Sequence, residues 1–208
     1  MRGKESVLEL AVDKTGTGTI KQVSVGISNR HFHLAKEDLV RLFGEGYEPV
    51  FMKDLSQPGQ YATKDVVTLM GPKGLIEGVR LLMPLRKQSQ VEISVTDCYK
   101  LGIPPVIRDS GDLKDTPGIT LVGPKGEVAL PEGAIVAARH IHLNLQEASQ
   151  LGVKDKQRIS VEVSGPRGVR FDQVLIRVHE SFASEMHVDT DEANGALMKN
   201  GQFVNLLL

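Results

Sequence analysis

The chain is 208 residues long and 40% hydrophobic, and its 25 basic and 26 acidic residues are mixed along it for a net charge of −1. Such a length buries the core of one large or two small domains, the balanced charge excludes a broad electrostatic footprint for nucleic acid, and no run of about 20 apolar residues offers a membrane-spanning helix. The single cysteine, Cys98, makes no intrachain disulfide, and with no leader pattern at the start a reducing, cytoplasmic setting is expected.

In chain order, residues 1–20 read as an N-terminal tail, in which Glu5 to Val12 offers a weak amphipathic helix before a Gly/Thr run. Ordered structure is expected from about Lys21. Arg30-His31-Phe32-His33-Leu34 then has the alternation of a strand, and Ala35 to Phe43 the apolar spacing of a helix through Leu39, Val40, Leu42 and Phe43. Further on, Val66 to Met70, the turn Gly71-Pro72-Lys73-Gly74, Gly78 to Met83 and Gln90 to Val95 follow at the short spacing of antiparallel strands. The same turn returns at Gly123 to Gly126, and with Arg167 in place of lysine at Gly165 to Gly168. Leu145 to Leu151 reads as a second helix, with Asn144 and Glu147 spaced as a capping box. Most of the chain is expected to be β.

A longer repeat carries the chemistry. Arg139-His140-Ile141-His142-Leu143 matches the first His-x-His segment at an offset of 109 residues, whereas Gly71 and Gly165 are 94 apart. The first half therefore holds about fifteen extra residues, near Glu45 to Lys64, and an insertion beside a His pair is a candidate lid. Its Gln57-Pro58-Gly59-Gln60 is a tight-turn sequence with polar side chains that could fold over a ligand.

On a strand, residues i and i+2 face one side about 6.5–7 Å apart at Cα, so two imidazoles can converge on one metal with Zn–N bonds of about 2.0–2.1 Å. Phe32 and Ile141 send the opposite face to the core, which is how alternation presents ligands. Glu92 and His187 are candidate further ligands, but the 94-residue offset aligns Glu92 with Met186, one residue out of register, and a bulge or slip is needed. His179 lacks a His-x-His partner and reads as a surface or structural residue, and Cys98 has no base beside it in sequence. Three alternatives stand against a catalytic zinc site. The histidines could be half-exposed strand residues. His31, His33 and Glu37 also have the spacing of a cupin first motif, as in metal-dependent dioxygenases and isomerases, although the second motif fails at Val136. A zinc-stabilised β binding module without catalysis is the third.

Taken together, Ser28-Asn29-Arg30-His31-Phe32-His33-Leu34, Arg139-His140-Ile141-His142-Leu143, Gln57-Pro58-Gly59, and the spacing of Glu92 and His187 resemble the PduL-type phosphate acyltransferases, the phosphate propanoyltransferase family, from Val23 to Leu208. The resemblance implies a mainly β fold of two β-barrels capped by short α-helices, with a di-zinc site between them and a homodimer as the assembly. It implies one barrel from residues 21–29 and 138–208, a second from 30–44 and 65–137, and a lid insertion at 45–64. By the same resemblance His31 and His33 hold one zinc, while Glu92, His140, His142 and His187 hold the other. Arg86 matches the family's phosphate-contacting arginine, and Gln57, Pro58 and Gly59 its lid.

The implied activity converts a short-chain acyl-CoA, propanoyl-CoA or acetyl-CoA, and phosphate to acyl phosphate and CoA, as in propanediol degradation. The implied setting is the cytoplasm or a bacterial microcompartment lumen with shell or cargo partners, and no nucleic acid or membrane. With no Ser/His or Cys/His pairing in sequence, direct attack by phosphate is expected. Ala35 departs from the family's Ser or Thr helix cap, an expected loss of about 1 kcal/mol.

Overall fold

The structure, a computed structural model, describes residues 9–12 and 19–208. In chain order its strands are β1 (Glu9–Val12), β2 (Thr19–Ser28), β3 (His31–His33), β4 (Phe51–Asp54), β5 (Tyr61–Met70), β6 (Leu75–Met83), β7 (Gln90–Glu92), β8 (Ile107–Arg108), β9 (Ile119–Val122), β10 (Glu127–Leu130), β11 (Ala134–Ala137), β12 (His140–Leu143), β13 (Arg158–Val163), β14 (Val169–Val178), β15 (Glu185–Asp189) and β16 (Phe203–Leu207). Among the described residues the helices are α1 (Lys36–Phe43), α2 (Val95–Leu101), α3 (Leu145–Leu151) and α4 (Thr190–Ala196). The protein is mainly β with short helices, as the turn spacing predicts.

Two compact units divide the chain. The first comprises the described residues up to Ser28, together with Ser56–Pro58 and Arg139–Leu208, and the second comprises Asn29–Leu55 and Gly59–Ala138. In the first unit β2, β15, β12, β14, β13 and β16 pair in that order and β16 returns to β2, closing a barrel. Ile159, Val161 and Val163 point into it while Arg158 and Glu162 face solvent, the alternation that a half-buried strand requires. Ile141, Met186, Val174 and Ile176 help fill the same interior. In the second unit the sheet runs β10-β9-β5-β6-β3-β7-β11-β8, with β4 on β5, and curls around Phe32, Leu81, Val91 and Leu121 without closing. The two expected barrels are thus one closed barrel and one half-barrel, whose two-residue edge strand β8 leaves few ladder bonds for closure.

The helix expected over Glu5 to Val12 needs correction. Glu9–Val12 forms β1, antiparallel to β2 with Glu9 opposite Gln22 and Val12 opposite Thr19, and the rest of that segment lies outside the described residues. Eight residues nucleate a helix poorly, whereas a neighbouring strand offers ladder hydrogen bonds at once.

Local chemistry sets the helix ends. Asn144 caps α3 in the expected capping box with Glu147, and the same box recurs as Ser94 with Asp97 on α2 and Asp189 with Glu192 on α4. Ala35 caps α1 with no side chain, but Ser89 substitutes from a distant loop: its Oγ accepts from Ala35 N at 2.9 Å and donates to Asp38 Oδ2 at 2.5 Å. Two Gly-Pro-Lys-Gly turns close the other ends. Lys73 N donates to Leu101 O of α2 and Lys125 N to Leu42 O of α1, both at 3.0 Å, satisfying carbonyls that have no partner within a helix. A Cβ on Gly71 would lie 2.3 Å from Leu101 O and one on Gly123 2.6 Å from Leu42 O, so only glycine lets these turns approach.

The capping boxes also resolve the register. Ser94 and Asp97 correspond to Asp189 and Glu192 at an offset of 95, which pairs Glu92 with His187. The extra residue lies in the hairpin after the turn. Leu69–Ile76 and Met70–Leu75 close it in the second unit, whereas Val161–Phe171, Glu162–Arg170 and Val163–Val169 close it in the first, one pair longer.

Candidate functional site

Each unit gathers three metal-capable side chains, and each does so on an equivalent antiparallel strand pair. In the second unit β3 pairs antiparallel with β7, which sets His31 opposite Glu92 and His33 opposite Gln90. In the first unit β12 pairs antiparallel with β15, which sets His140 opposite His187. The ligand atoms of His31, His33 and Glu92 all lie within 4.8 Å of one another, as do those of His140, His142 and His187. Glu92 therefore stands beside His31 and His33, whereas the resemblance groups it with His140, His142 and His187. The cross-strand register decides it, because a residue facing His31 on the next strand shares its side of the sheet.

In the second unit the hydrogen bonds select the nitrogen that faces the centre. His31 Nδ1 lies 2.8 Å from Asn29 O and His33 Nδ1 3.1 Å from Leu82 O; a carbonyl only accepts, so both Nδ1 atoms carry the proton and both Nε2 lone pairs turn inward. Glu92 Oε2 lies 3.5 Å from His31 Nε2. Its Oε1 accepts from Gln90 Nε2 at 2.5 Å and Ser110 Oγ at 2.8 Å. Arg86 donates from Nη2 to His33 Nε2 at 2.8 Å and from Nη1 to Ser110 Oγ at 2.9 Å. Burial and the Arg86 guanidinium hold His33 down at about 3. Burial pushes the Glu92 carboxyl up, but His31, His33, Arg86 and the Ser110 hydroxyl outweigh it and keep it well below the usual carboxylate range.

The first unit's group is three imidazoles. Their ring centroids are 4.7 Å apart for His140–His142, 4.9 Å for His142–His187 and 5.2 Å for His140–His187. Three imidazoles around one ion with Zn–N bonds of about 2.0–2.1 Å put their centroids roughly 5 Å apart, so the spacing fits a metal. His142 Nδ1 is buried with no hydrogen-bond partner among the described residues, an orphaned lone pair or proton that a protein interior rarely leaves. Burial, with His140, His187 and Arg177 nearby, drives His142 down to about 2, so it is neutral and able to ligate near neutral pH. His187 Nε2 lies 2.7 Å from Glu185 Oε2, and Ser56 Oγ donates to that same oxygen. A Cβ at Gly26, opposite His187 on β2, would lie 2.7 Å from the Glu185 carboxylate and push that side chain aside.

The remaining candidates sit as follows. Gln57 is buried and its amide is engaged at Ala183, donating to the carbonyl at 2.9 Å and accepting from the N–H at 3.3 Å. Pro58 and Gly59 are exposed. His179 is exposed and bonded to Ser181, outside both groups, and Glu37 is exposed on α1, so the cupin spacing gathers no third ligand. Cys98 is buried in the core. Sequence reasoning missed Gln90, Ser110 and Glu185. Gln90 and Glu185 stand two residues before Glu92 and His187 and so share their faces, a signal that was there to read, whereas Ser110 arrives from a loop with none.

Residues 24–199 match the family model for phosphate propanoyltransferase. A phosphate propanoyltransferase of Thermotoga maritima is 56% identical over 186 residues, 89% of each chain. One of Rhodopseudomonas palustris is 49% identical over 89% of this chain and 82% of its own, and one of Lachnoclostridium phytofermentans 48% identical over 97% and 94%. The chain belongs to the phosphate propanoyltransferase family, and it is an acyltransferase enzyme.

Proposed function

We propose that the protein transfers a short acyl group, propanoyl or acetyl, from coenzyme A to phosphate, with one zinc ion at each of its two ligand groups. The observation that carries this reading is the recurrence of one three-ligand arrangement on equivalent strand pairs of a chain in this family. His31 Nε2, His33 Nε2 and Glu92 would hold one ion and His140, His142 and His187 the other. Imidazole with few carboxylates suits zinc. Bound there, zinc supplies Lewis acidity toward the thioester carbonyl and a partner for the departing thiolate.

The chain's own groups do the rest. A phosphate oxygen attacks the thioester carbonyl carbon, the new C–O bond forms, the C–S bond breaks, and its electron pair leaves on the sulfur of CoA. Arg86 orients the phosphate. Its guanidinium already reaches His33 Nε2 and Ser110 Oγ beside the ligand group, and its planar fork matches two phosphate oxygens. Residues 45–64, with Gln57, Pro58 and Gly59, form the lid of this reading, and a homodimer in the cytoplasm or a microcompartment lumen is its assembly and setting. No described helix is long and apolar enough to cross a membrane.

The test is release of free thiol from propanoyl-CoA or acetyl-CoA with and without phosphate. Release that depends on phosphate is expected, with loss in both His33→Ala and His142→Ala and activity near wild type in His179→Ala. Phosphate-independent release, or full activity in His33→Ala, would contradict the proposal.

A further inference from the structure

Arg30 and Arg139 each stand directly before a His pair, yet neither belongs to a ligand group. Both are tied to a carboxylate at the start of a helix. Arg30 Nε donates to Asp97 Oδ2 at 2.9 Å and its Nη2 lies 2.9 Å from Asp97 Oδ1, a two-point contact with a side chain that is 5% exposed. Asp97 closes the capping box of α2, and the Ser94 cap stands two residues after Glu92. In the other unit Arg139 Nη1 donates to Glu192 Oε1 at 2.7 Å, and Glu192 closes the capping box of α4, whose Asp189 cap stands two residues after His187. Arg139 is further seated by the Asp172 carbonyl at 3.0 Å and by Phe171, with its guanidinium 5.0 Å from the ring centroid. One device is therefore built twice, from different residues: Ser94 and Asp97 in one unit, Asp189 and Glu192 in the other.

We infer that Arg30 and Arg139 are positioning residues, each clamping the strand that carries a His pair to the strand that carries the third ligand of the same group. The need arises from the ladders. β3 meets β7, and β12 meets β15, through only three residue pairs each, so few hydrogen bonds hold the strands against twist or shear. The clamp sits one residue beyond the paired segment, where it resists such motion best. Its carboxylate cannot drift, because it also caps a helix: Asp97 Oδ2 accepts from Ser94 N at 3.3 Å and Glu192 Oε2 from Asp189 N at 3.1 Å. Metal affinity depends on ligand atoms held at fixed spacing, so a fork that fixes two strands acts on the metal without touching it.

The inference rests on the two-zinc reading, and the experiment separates the two. Zinc-loaded protein is mixed with a chromogenic chelator, and the number of ions released and their rates are followed in wild type, Arg30→Lys and Arg139→Lys. Lysine keeps the charge and removes the fork. In each variant one ion is expected to leave about tenfold faster while the other keeps its wild-type rate, and in the double variant both should be fast. Asp97→Asn should reproduce Arg30→Lys and Glu192→Gln should reproduce Arg139→Lys; they carry the comparison if a lysine variant fails to fold. Wild-type rates for both ions in every variant would overturn the inference. So would equal acceleration of both ions in each single variant, which reports general loosening. A wild-type protein that binds no zinc would overturn the two-zinc reading itself, and the inference with it.

Discussion

Ser110 spends its one proton on Glu92 while accepting from Arg86 and Gln90, so a single hydroxyl keeps a carboxylate, a guanidinium and an amide together. Arg86 is thereby held by contacts that lysine cannot reproduce. In Arg86→Lys the phosphate KM should rise strongly and kcat fall, with the acyl-CoA KM nearly unchanged, in steady-state kinetics with both substrates varied. Wild-type phosphate kinetics in Arg86→Ala would remove it from the site. The buried histidines predict a pH dependence as well. His33 at about 3 and His142 at about 2 lie below their ordinary 6.5, in both cases chiefly because of burial. As pH falls below about 6.5 the unfolded chain takes up protons that the folded chain refuses, so the stability these neutral rings contribute is lost toward acid. Chelator-treated protein should show a lower urea midpoint at about pH 5 than at about pH 7.5, and an unchanged midpoint would count against the buried, neutral assignment. The His pairs were legible at this scale because alternation alone turns both rings one way. Ser110 was not, since its role depends on a loop meeting residues about twenty positions earlier in the chain.

At the scale of elements, the glycine turns make a graded prediction. Gly71→Ala and Gly123→Ala each press a Cβ onto a backbone carbonyl at a helix end and should cost about 3 kcal/mol. Gly78, at φ +70 with open space around it, should cost only about 1 kcal/mol on the same change, the strain of a left-handed alanine. Denaturant midpoints would rank the three, and equal losses would contradict the close packing of turn on helix. Helix α3 and its Asn144 cap could be read directly, because Glu147 follows at capping-box spacing before an apolar face. Helices α2 and α4 could not. Gln90 to Val95 looks like one strand, yet the strand stops at Glu92 and Ser94 turns the chain into a helix. The slip between Glu92 and His187 came from aligning the turns, which ignores a hairpin one cross-strand pair longer in one unit.

For the whole molecule, the repeat in the sequence correctly announced two related parts. It left open how each one closes, because barrel closure depends on edge-strand length and on long-range pairing such as β16 with β2. Each unit buries its own apolar cluster, around Phe32 and Leu121 in one and Ile141 and Ile176 in the other, so neither is expected to need metal to fold. Stripping metal should therefore leave the far-ultraviolet circular dichroism nearly unchanged while abolishing turnover, and unfolding on chelation would show the sites to be structural instead. The most direct measurement returns zinc to the stripped protein in steps while following phosphate-dependent thiol release from propanoyl-CoA. With one ion at each ligand group and both needed, activity should climb to a plateau at two equivalents per chain. Full activity without metal, or a plateau at one equivalent, would contradict the account.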